Sequence, residues 1–283
     1  MSRHHPTAVI HPGAELAEDV VVGPHAVIGE GVVIGPGCEI GAGAQIQGPT
    51  ELGRENRVFA MAAIGFEPQD LKFRGELVRL EVGDRNQFRE FSTLHRGTGK
   101  GGGVTRVGSD NLFMTGSHVG HDCQVGSRTI FVNNATLAGH VSVEDDATIG
   151  AFSSVHQFCR VGRHAYIGGY TVLTQDALPY VKTTGQKPVC YGLNSIGLRR
   201  KGVPEESVQR LSKALRVLLR SGLNLGQALE ELRRELAADP YVAHLVSFIE
   251  GSERGVVKGL PGRRGARGGG EPGGGEQSGG EDE

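Results

Sequence analysis

The sequence carries an apolar residue at every sixth position over most of its length. The spacing runs without a break from Ile10 to Ile64, returns from Val82 to Leu94, and returns again from Val107 to Leu173. An α-helix repeats about every 3.6 residues and a strand about every two, so neither element alone produces this period. A short fixed repeat indicates similar units that stack on one another. The chain is therefore predicted to form a solenoid.

Each six-residue unit joins a short strand to a tight turn. Glycine often follows the apolar residue, as at Gly23 and Gly29, and the residue two places before it is usually small, as at Ala26 and Ala44. Glycine tolerates the dihedral angles that tight turns require. The composition agrees, because the chain has 46 glycines, 5% aromatic residues and no tryptophan. We therefore predict a core of small stacked side chains.

Charge and cysteine content limit the classes of function. The formal net charge is -2 and the basic residues are scattered, so no nucleic-acid partner is predicted. No apolar segment has the length of a signal peptide or of a membrane span, which predicts a cytoplasmic protein without membrane insertion. The cysteines lack paired zinc spacing and are expected to be free thiols. They are Cys38, Cys123, Cys159 and Cys190.

Two interruptions and a change of period divide the chain. The interruptions span about 65–81 and 97–106, and loops expelled from a solenoid commonly carry function. From Pro204 onward the apolar residues take a helical spacing. The predicted divisions are a β-helix over 1–186, a small α-helical domain over 187–258 and a disordered Gly-rich tail over 259–283.

Folding the sequence on a period of eighteen gathers histidines onto one face. Three stacked units carry His121, His140 and His156, and His95 joins this column if the second interruption inserts seven residues. Histidine is the side chain best suited to accept a proton near neutral pH, and it works best when a carboxylate holds its second nitrogen. Asp122 supplies a carboxylate beside His121. The column therefore contains a candidate general base.

The repeat resembles that of the hexapeptide-repeat acyltransferase family over about residues 8–178. In that family the units form the three faces of a triangular prism, so residues eighteen apart stack in neighbouring coils. The resemblance implies a mainly β fold, a left-handed parallel β-helix of hexapeptide repeats followed by a small C-terminal α-helical domain. The general preference for right-handed crossovers does not predict this handedness. The resemblance also implies a homotrimer with clefts between its subunits.

Several motifs narrow the resemblance to the UDP-N-acetylglucosamine acyltransferases, and the match extends to about residue 258. These motifs lie at 64–65, 69–72, 95–98, 118–123, 133–141 and 156–159. The resemblance implies transfer of an (R)-3-hydroxyacyl group from acyl carrier protein to the 3-hydroxyl of UDP-N-acetylglucosamine, the first step of lipid A biosynthesis. It implies no cofactor and no metal, because the donor is itself a phosphopantetheine-bound thioester.

The resemblance assigns three catalytic roles. His121 would act as general base on the glucosamine 3-hydroxyl, and Asp122 would orient its imidazole. The backbone N–H of Gly139 would stabilise the oxyanion. These roles agree with the chemistry, because a sugar hydroxyl is a poor nucleophile until it loses its proton and a preorganised N–H contributes about 3 kcal/mol at the developing charge.

Further positions match substrate contacts of the family. Asn194 and Arg200 would reach the UDP part from a neighbouring subunit, and a guanidinium suits a pyrophosphate. Gly169 would leave the acyl tunnel long, which favours a chain such as hydroxymyristoyl. The segment departs from the family pattern at Ile196, where a glutamate is usual, and at Lys201, where an arginine is usual. The other implied substrate contacts are Gln69, Asp70, Lys72, His95, His118, His140, His156 and Gln157.

Three alternatives remain open from the sequence. A γ-class carbonic anhydrase also places histidines between the subunits of a prism, around zinc, which metal analysis would detect. A related sugar-nucleotide N-acyltransferase usually carries an extra N-terminal domain, whereas the repeat here begins by Ile10. A non-catalytic assembly prism would tolerate His121→Ala. The sequence does not distinguish a 3-hydroxyl from a 3-amino acceptor.

Overall fold

The computed structural model describes residues 3–259. Most strands in this range have two residues, and the second is usually more buried than the first, as in Glu39 and Ile40. The apolar residue of each repeat therefore points into the core. In chain order the strands are β1 (Val9–Ile10), β2 (Glu15–Leu16), β3 (Val21–Val22), β4 (Val27–Ile28), β5 (Val32–Ile34), β6 (Glu39–Ile40), β7 (Gln45–Ile46), β8 (Thr50–Leu52), β9 (Arg57–Val58), β10 (Ala63–Phe66), β11 (Arg79–Val82), β12 (Gln87–Phe88), β13 (Thr93–His95), β14 (Val104–Val107), β15 (Leu112–Phe113), β16 (His118–Val119), β17 (Gln124–Val125), β18 (Ile130–Phe131), β19 (Thr136–Leu137), β20 (Ser142–Val143), β21 (Thr148–Ile149), β22 (Ser154–Val155), β23 (Arg160–Val161), β24 (Tyr166–Ile167), β25 (Val172–Leu173), β26 (Val181–Thr184) and β27 (Val189–Leu193).

Three sheets form the faces of a triangular prism. Face 1 contains β1, β4, β7, β10, β13, β16, β19, β22 and β25, and face 2 contains β2, β5, β8, β11, β14, β17, β20 and β23. Face 3 contains β3, β6, β9, β12, β15, β18, β21, β24, β26 and β27. Most neighbouring strands of one face pair in parallel with an offset of eighteen residues, as Val9 and Val27 do. The predicted left-handed parallel β-helix of hexapeptide repeats is confirmed.

The turns between strands form the three edges of the prism, here called edge 1/2, edge 2/3 and edge 3/1 after the faces that they join. A residue with positive φ precedes many of the strands, and it is often not glycine. Examples are Asp122 on edge 1/2, Arg128 on edge 2/3 and Phe152 on edge 3/1, with φ of 60°, 58° and 55°. The tight coil therefore imposes a left-handed conformation that such residues seldom adopt elsewhere.

The prism interior is filled by the inward residue of each strand and the small residue of each turn. The rings of Phe88, Phe113 and Phe131 stack in successive coils, with centroid separations of 5.0 and 4.7 Å. All four cysteines are buried free thiols, as expected. Removing these apolar surfaces from water is the main stabilising contribution to such a core.

Both interruptions leave the prism at edge 1/2, and they are shorter than the sequence indicates. They span 67–78, between β10 and β11, and 96–103, between β13 and β14. The pairings of Ala63 with Thr93 and of Thr93 with His118 have offsets of 30 and 25 residues, so the insertions beyond eighteen add twelve and seven residues. The first interruption ends earlier than the apolar repeat indicates. Leu80, two residues before Val82, already pairs with Thr50 and Thr105.

Face 3 also extends beyond residue 186, where the sequence places the end of the β-helix. β27 pairs antiparallel with β26 and ends at Leu193. A hairpin has no six-residue period, so the repeat gives no sign of it. Most of the expected disordered tail, 259–283, lies outside the described residues.

The C-terminal part is helical, as the spacing of its leucines predicts. Buried side chains on three of the helices, including Leu211, Leu232 and Leu245, pack together at the end of the prism. Among residues 3–259, no helix has both the length and the apolarity of a membrane span. The helices are α1 (Ser195–Arg200), α2 (Glu205–Arg220), α3 (Leu225–Leu236) and α4 (Pro240–Glu250).

Candidate active site

The turns of edge 1/2 carry the polar residues on which the sequence analysis converges. Asp122, His140 and Phe158 occupy the same place in successive coils, with φ of 60°, 61° and 66°. His121 precedes Asp122, and Gly139 has the corresponding place one coil further on. The ring centroids of His121 and His140 are 5.1 Å apart. The period of eighteen therefore brings these two histidines together, as predicted.

His121 and Asp122 form a hydrogen-bonded pair. The His121 Nδ1 atom lies 2.7 Å from Asp122 Oδ2. The Asp122 side chain is fully buried, and that of His121 is 15% exposed. Neighbours on a strand point to opposite faces, but the left-handed backbone at Asp122 turns its carboxylate towards the ring. An ionised carboxylate only accepts, so Nδ1 carries the proton and Nε2 keeps the lone pair that a general base needs.

The buried Asp122 carboxylate has further donors. Thr98 donates its backbone N–H to Oδ1 at 2.8 Å and its hydroxyl to Oδ2 at 2.7 Å. The Asp122 N–H donates to Thr105 Oγ1 at 2.8 Å. Thr98 belongs to the second interruption and Thr105 to β14. This second loop, residues 96–103, therefore folds back onto the carboxylate.

Gly139 lies against the His121 imidazole. A Cβ built on Gly139 would come within 2.5 Å of Cε1 and 2.6 Å of Nε2 of that ring, so a side chain does not fit without displacing it. Within residues 3–259 the Gly139 N–H donates no hydrogen bond. An unpaired N–H close to the free nitrogen of a base is suited to stabilising an oxyanion.

His140 completes a cluster with the first pair. Its Nε2 atom lies 3.6 Å from Asp122 Oδ2, and its ring stacks on Phe158 with a centroid separation of 4.6 Å. Ligand atoms of His121, Asp122 and His140 lie within 4.8 Å of one another, which is close enough to hold a metal ion. Both Asp122 oxygens already accept hydrogen bonds, so a metal would have to displace donors from Thr98 or His121. The cluster therefore fits an oriented base better than a metal centre.

A second histidine pair lies nearby on face 1. The rings of His95 and His118 have centroids 5.2 Å apart. His95 Nδ1 donates to the Glu67 carbonyl at 2.6 Å, and His118 Nδ1 lies 2.8 Å from Thr93 Oγ1. Burial, together with repulsion from His95 and His121, lowers the pKa of His118 to about 4. Burial also lowers the pKa of His95, so both rings are neutral near pH 7.

The first loop, residues 67–78, contains the predicted substrate contacts Gln69, Asp70 and Lys72. Gln69 and Lys72 are exposed, and the Asp70 carboxylate accepts the Lys72 N–H at 2.9 Å. The side chains of Leu71 and Leu77 are 96% and 92% exposed. Two such leucines on one loop leave an apolar surface that a substrate or a second chain can cover.

His156 and Gln157 lie in the next coil of edge 1/2, where the contacts of His156 are with Gln157 and Arg254. The His156 Nδ1 atom lies 3.1 Å from the Gln157 carbonyl oxygen and 3.2 Å from Arg254 Nη2. His156 follows its apolar residue by one place, whereas His121 and His140 follow theirs by two and three places. The three histidines therefore occupy different places within their turns, and the coils themselves stack as predicted.

Asn194 and Arg200 lie on face 3, which is opposite edge 1/2 in the triangular section. The Asn194 side chain caps α1, because its Oδ1 accepts the Gly197 N–H at 3.3 Å and its Nδ2 donates to the His164 carbonyl at 3.0 Å. One protomer therefore does not bring Arg200 to His121. The two residues share a groove with Ile130, Asp146, Thr148, His164, Tyr166, Lys182, Ile196, Gly197 and Lys201.

The two departures from the family pattern lie in the same groove. The Lys201 Nζ atom forms an ion pair with Asp146 Oδ1 at 2.8 Å. Ile196 is 63% exposed. Lys201 is therefore held by a carboxylate of its own chain, and Ile196 adds an apolar surface where the family has a charge.

Gly169 lies at edge 3/1, away from His121. It is exposed, and a Cβ on it would approach the Ala151 carbonyl oxygen at 3.2 Å. The neighbouring Tyr170 ring stacks on Phe152 with a centroid separation of 5.2 Å. An acyl chain that meets both His121 and Gly169 must therefore run between two protomers or around the prism.

Known proteins are similar to this chain in sequence. The family described as Udp N-acetylglucosamine O-acyltransferase, domain 2, matches residues 176–257, and the bacterial transferase hexapeptide family matches 2–36 and 140–175. The acyl-(acyl-carrier-protein)–UDP-N-acetylglucosamine O-acyltransferase of Myxococcus xanthus is 50% identical over 258 residues, which are 91% of this chain and 100% of that relative. The chain belongs to the UDP-N-acetylglucosamine O-acyltransferase family.

Solved structures of this family share the fold. The UDP-N-acetylglucosamine acyltransferase of Francisella novicida is 37% identical with a TM-score of 0.88, over 90% of this chain and 94% of that chain. The corresponding protein of Bacteroides fragilis is 40% identical with a TM-score of 0.88, over 89% and 99% of the two chains. Membership in this family makes the chain an O-acyltransferase and argues against both the carbonic anhydrase and the assembly prism.

Several residues of the candidate site were not identified from the sequence. Phe158 lies eighteen residues after His140, so the period alone could have placed it against that ring. Thr98 stands in the motif at 95–98, but the six-residue period does not show that the interruption at 96–103 returns to Asp122. Arg254 lies beyond the last helix, and nothing in its neighbourhood indicates contact with His156.

Proposed function

We propose that this chain transfers an (R)-3-hydroxyacyl group from acyl carrier protein to the 3-hydroxyl of UDP-N-acetylglucosamine, the first step of lipid A biosynthesis. The observation that carries this proposal is the His121–Asp122 pair beside Gly139. It offers a free Nε2 as base and an unpaired N–H as oxyanion donor in two stacked turns of edge 1/2. The names of the relatives specify an acyl group on acyl carrier protein as donor and UDP-N-acetylglucosamine as acceptor.

The reaction follows as a single displacement. His121 Nε2 takes the proton of the 3-hydroxyl while that oxygen forms a bond to the thioester carbonyl carbon. The negative charge on the carbonyl oxygen is stabilised by the Gly139 N–H. The carbon–sulfur bond then breaks, and the thiolate of the phosphopantetheine arm receives the proton from His121. No resident cofactor is needed, because the thioester supplies the activated acyl group.

The remaining residues of edge 1/2 and the histidine pair of face 1 are proposed to bind substrate. Neutral His118 can hydrogen-bond sugar hydroxyls without bringing a charge into the cleft, and the His140 ring offers a second hydrogen-bonding group. We assign Gln69, Asp70 and Lys72 to the sugar nucleotide, because their loop leaves the prism at this same edge. His95 shapes this end of the cleft through its hydrogen bond to the loop. His156 and Gln157 are proposed to line the acyl groove.

The nucleotide contacts are proposed to come from a neighbouring subunit of a homotrimer. Arg200 and Asn194 lie on face 3, whereas His121 lies at edge 1/2. A contact between face 3 of one copy and edge 1/2 of the next joins two different surfaces. Repeating such a contact gives a closed assembly only when the copies form a ring. Exposed apolar side chains at the edges of the prism, such as Met61 and Phe91, support burial between copies.

Acyl length and compartment complete the proposal. Gly169 leaves room at edge 3/1, so we propose a long chain such as hydroxymyristoyl. The four free thiols support a reducing compartment, and we place the reaction in the cytoplasm.

One experiment tests the proposed reaction directly. The purified protein is incubated with UDP-N-acetylglucosamine and a panel of (R)-3-hydroxyacyl carrier proteins, and the products are identified by mass. We expect a mono-acylated sugar nucleotide, with the longer chains preferred, and its loss in His121→Ala. Absence of transfer from every donor would refute the proposed function.

A further inference from the structure

The second loop donates hydrogen bonds to both oxygens of the Asp122 carboxylate. Thr98 reaches both oxygens, with its N–H 2.8 Å from Oδ1 and its hydroxyl oxygen 2.7 Å from Oδ2. Thr98 is 5% exposed and the Asp122 side chain is fully buried. A buried carboxylate is costly unless donors surround it, and this loop supplies two of them.

The direction of the Thr98 hydroxyl follows from its other partner. The Gly101 N–H donates to Thr98 Oγ1 at 3.2 Å, so this oxygen accepts from the loop and donates its own hydrogen to Asp122. Asp122 Oδ2 therefore accepts from both Thr98 and His121. Hydrogen bonds of this kind to an ionised group are the strong ones.

The glycine run explains how the loop comes so close. A Cβ on Gly101 would lie 2.1 Å from Asp122 Cγ and 2.3 Å from either carboxylate oxygen. The next residues, Gly102 and Gly103, have φ of 94° and 81°, a region that favours glycine. The run therefore lets the chain pass against the carboxylate and turn back into β14.

We propose that Thr98 is a positioning residue for acyl transfer, acting on His121 through Asp122. By holding both oxygens, Thr98 fixes the carboxylate in the plane from which Oδ2 keeps the proton on His121 Nδ1 and leaves Nε2 free. The inference rests on the proposed function, because it assigns a role within the same reaction. It gives the second loop the task of orienting the base.

The test replaces the hydroxyl with a methyl group of similar shape. Thr98→Val is expected to lower kcat by about 10- to 100-fold, the usual consequence of losing one hydrogen bond to a charged group. KM for UDP-N-acetylglucosamine should stay within about twofold, because an effect on the chemical step alone lowers kcat and kcat/KM together. Thr98→Ser keeps the hydroxyl and should restore most of kcat.

Two further comparisons separate positioning from general damage. Thr129→Val is the matched control, since Thr129 is also buried and its hydroxyl donates to the Asn111 side chain at 2.7 Å, on edge 2/3. It should lower stability and leave kcat unchanged. In an Asp122→Ala background, Thr98→Val should lower kcat by less than about threefold, because the residue through which it acts is gone.

The outcomes distinguish this inference from the function on which it rests. A wild-type protein without acyl transfer defeats the proposed function. An active wild type whose Thr98→Val variant keeps more than half of kcat, or loses as much in the Asp122→Ala background as alone, defeats the positioning role only.

Discussion

At the scale of single residues, the candidate chemistry depends on how two sequence neighbours come to face each other. The left-handed backbone at Asp122 directs its carboxylate to Nδ1 of the adjacent His121, and the pairing leaves Nε2 as the only basic nitrogen of that ring. Gly139 is the residue that this nitrogen lies against. The absence of a side chain at residue 139 is therefore part of the site.

Gly139→Ala is expected to lower kcat by about 100-fold or more, because the new methyl group displaces the His121 ring from its place beside the proposed oxyanion donor. Steady-state kinetics with a hydroxyacyl carrier protein provide the measurement. Gly226→Ala is the control, since a Cβ there has its nearest neighbour at 3.5 Å, in a helix remote from the site. Equal kcat values for Gly139→Ala and the wild type would contradict this role for Gly139.

His118 makes folding stability depend on pH. Its folded pKa is about 4, below the ordinary value of 6.5, so the unfolded chain binds the proton more tightly than the folded chain does. Stability from this group is complete above about pH 6.5 and is lost as the pH falls towards 4. Between pH 7 and 5 we expect the wild type to lose about 1–2 kcal/mol more unfolding free energy than His118→Gln.

Urea unfolding at fixed protein concentration measures this difference. His11→Gln is the control, because His11 is exposed. The unfolding free energy of this variant should change with pH as that of the wild type does. If His118→Gln has the same pH dependence as the wild type, the neutral buried state of His118 is wrong.

At the scale of elements, edge 2/3 is held by a ladder of buried asparagines. The Asn86 side chain donates to Asn56 Oδ1 and to the Gly108 carbonyl, both at 3.0 Å. Its own oxygen accepts the N–H of Asn111 at 3.0 Å and the side-chain amide of the same residue at 2.9 Å. One side chain therefore ties together three coils next to the two insertions.

Asn86→Ala is expected to lower the free energy of unfolding by about 3 kcal/mol, because it leaves buried donors and acceptors of two neighbouring coils unpaired. Chemical denaturation measures the loss. The matched control is Asn133→Ala, an exposed asparagine on a turn, which should change stability by less than about 0.5 kcal/mol. A similar loss in both variants would mean that the ladder adds no stability of its own.

The elements that the sequence predicts well are those whose geometry repeats. The inward residues from Ile10 to Leu173 follow from the period, and so does the contact of His121 with His140. Thr98 and β27 do not, because a loop closing on a carboxylate and a terminal hairpin have no period. The inclusion of His156 in the histidine column stays a prediction, since the period fixes the coil of a residue but not the direction of its ring within the turn.

At the scale of the whole molecule, one protomer holds the base and the proposed nucleotide contacts on opposite sides. His121 lies at edge 1/2, and Arg200 lies in the groove of face 3 beside Lys201 and Asp146. In the proposed homotrimer, a ring of three copies would place one of each in every cleft. Each active site would then contain His121 of one subunit and Arg200 of the next.

Mixed trimers test this arrangement. His121→Ala and Arg200→Ala chains, each nearly inactive at low UDP-N-acetylglucosamine, are co-expressed with different tags, and the mixed species are isolated. If each site spans two subunits, any mixed ring contains one intact site of three, so the isolated mixed species should have about a third of wild-type activity. If each chain formed its own site, every site would carry a mutation, and the mixture would be no more active than the parents. Separately purified trimers mixed without exchange should stay inactive, because the restored site requires both chains in one ring.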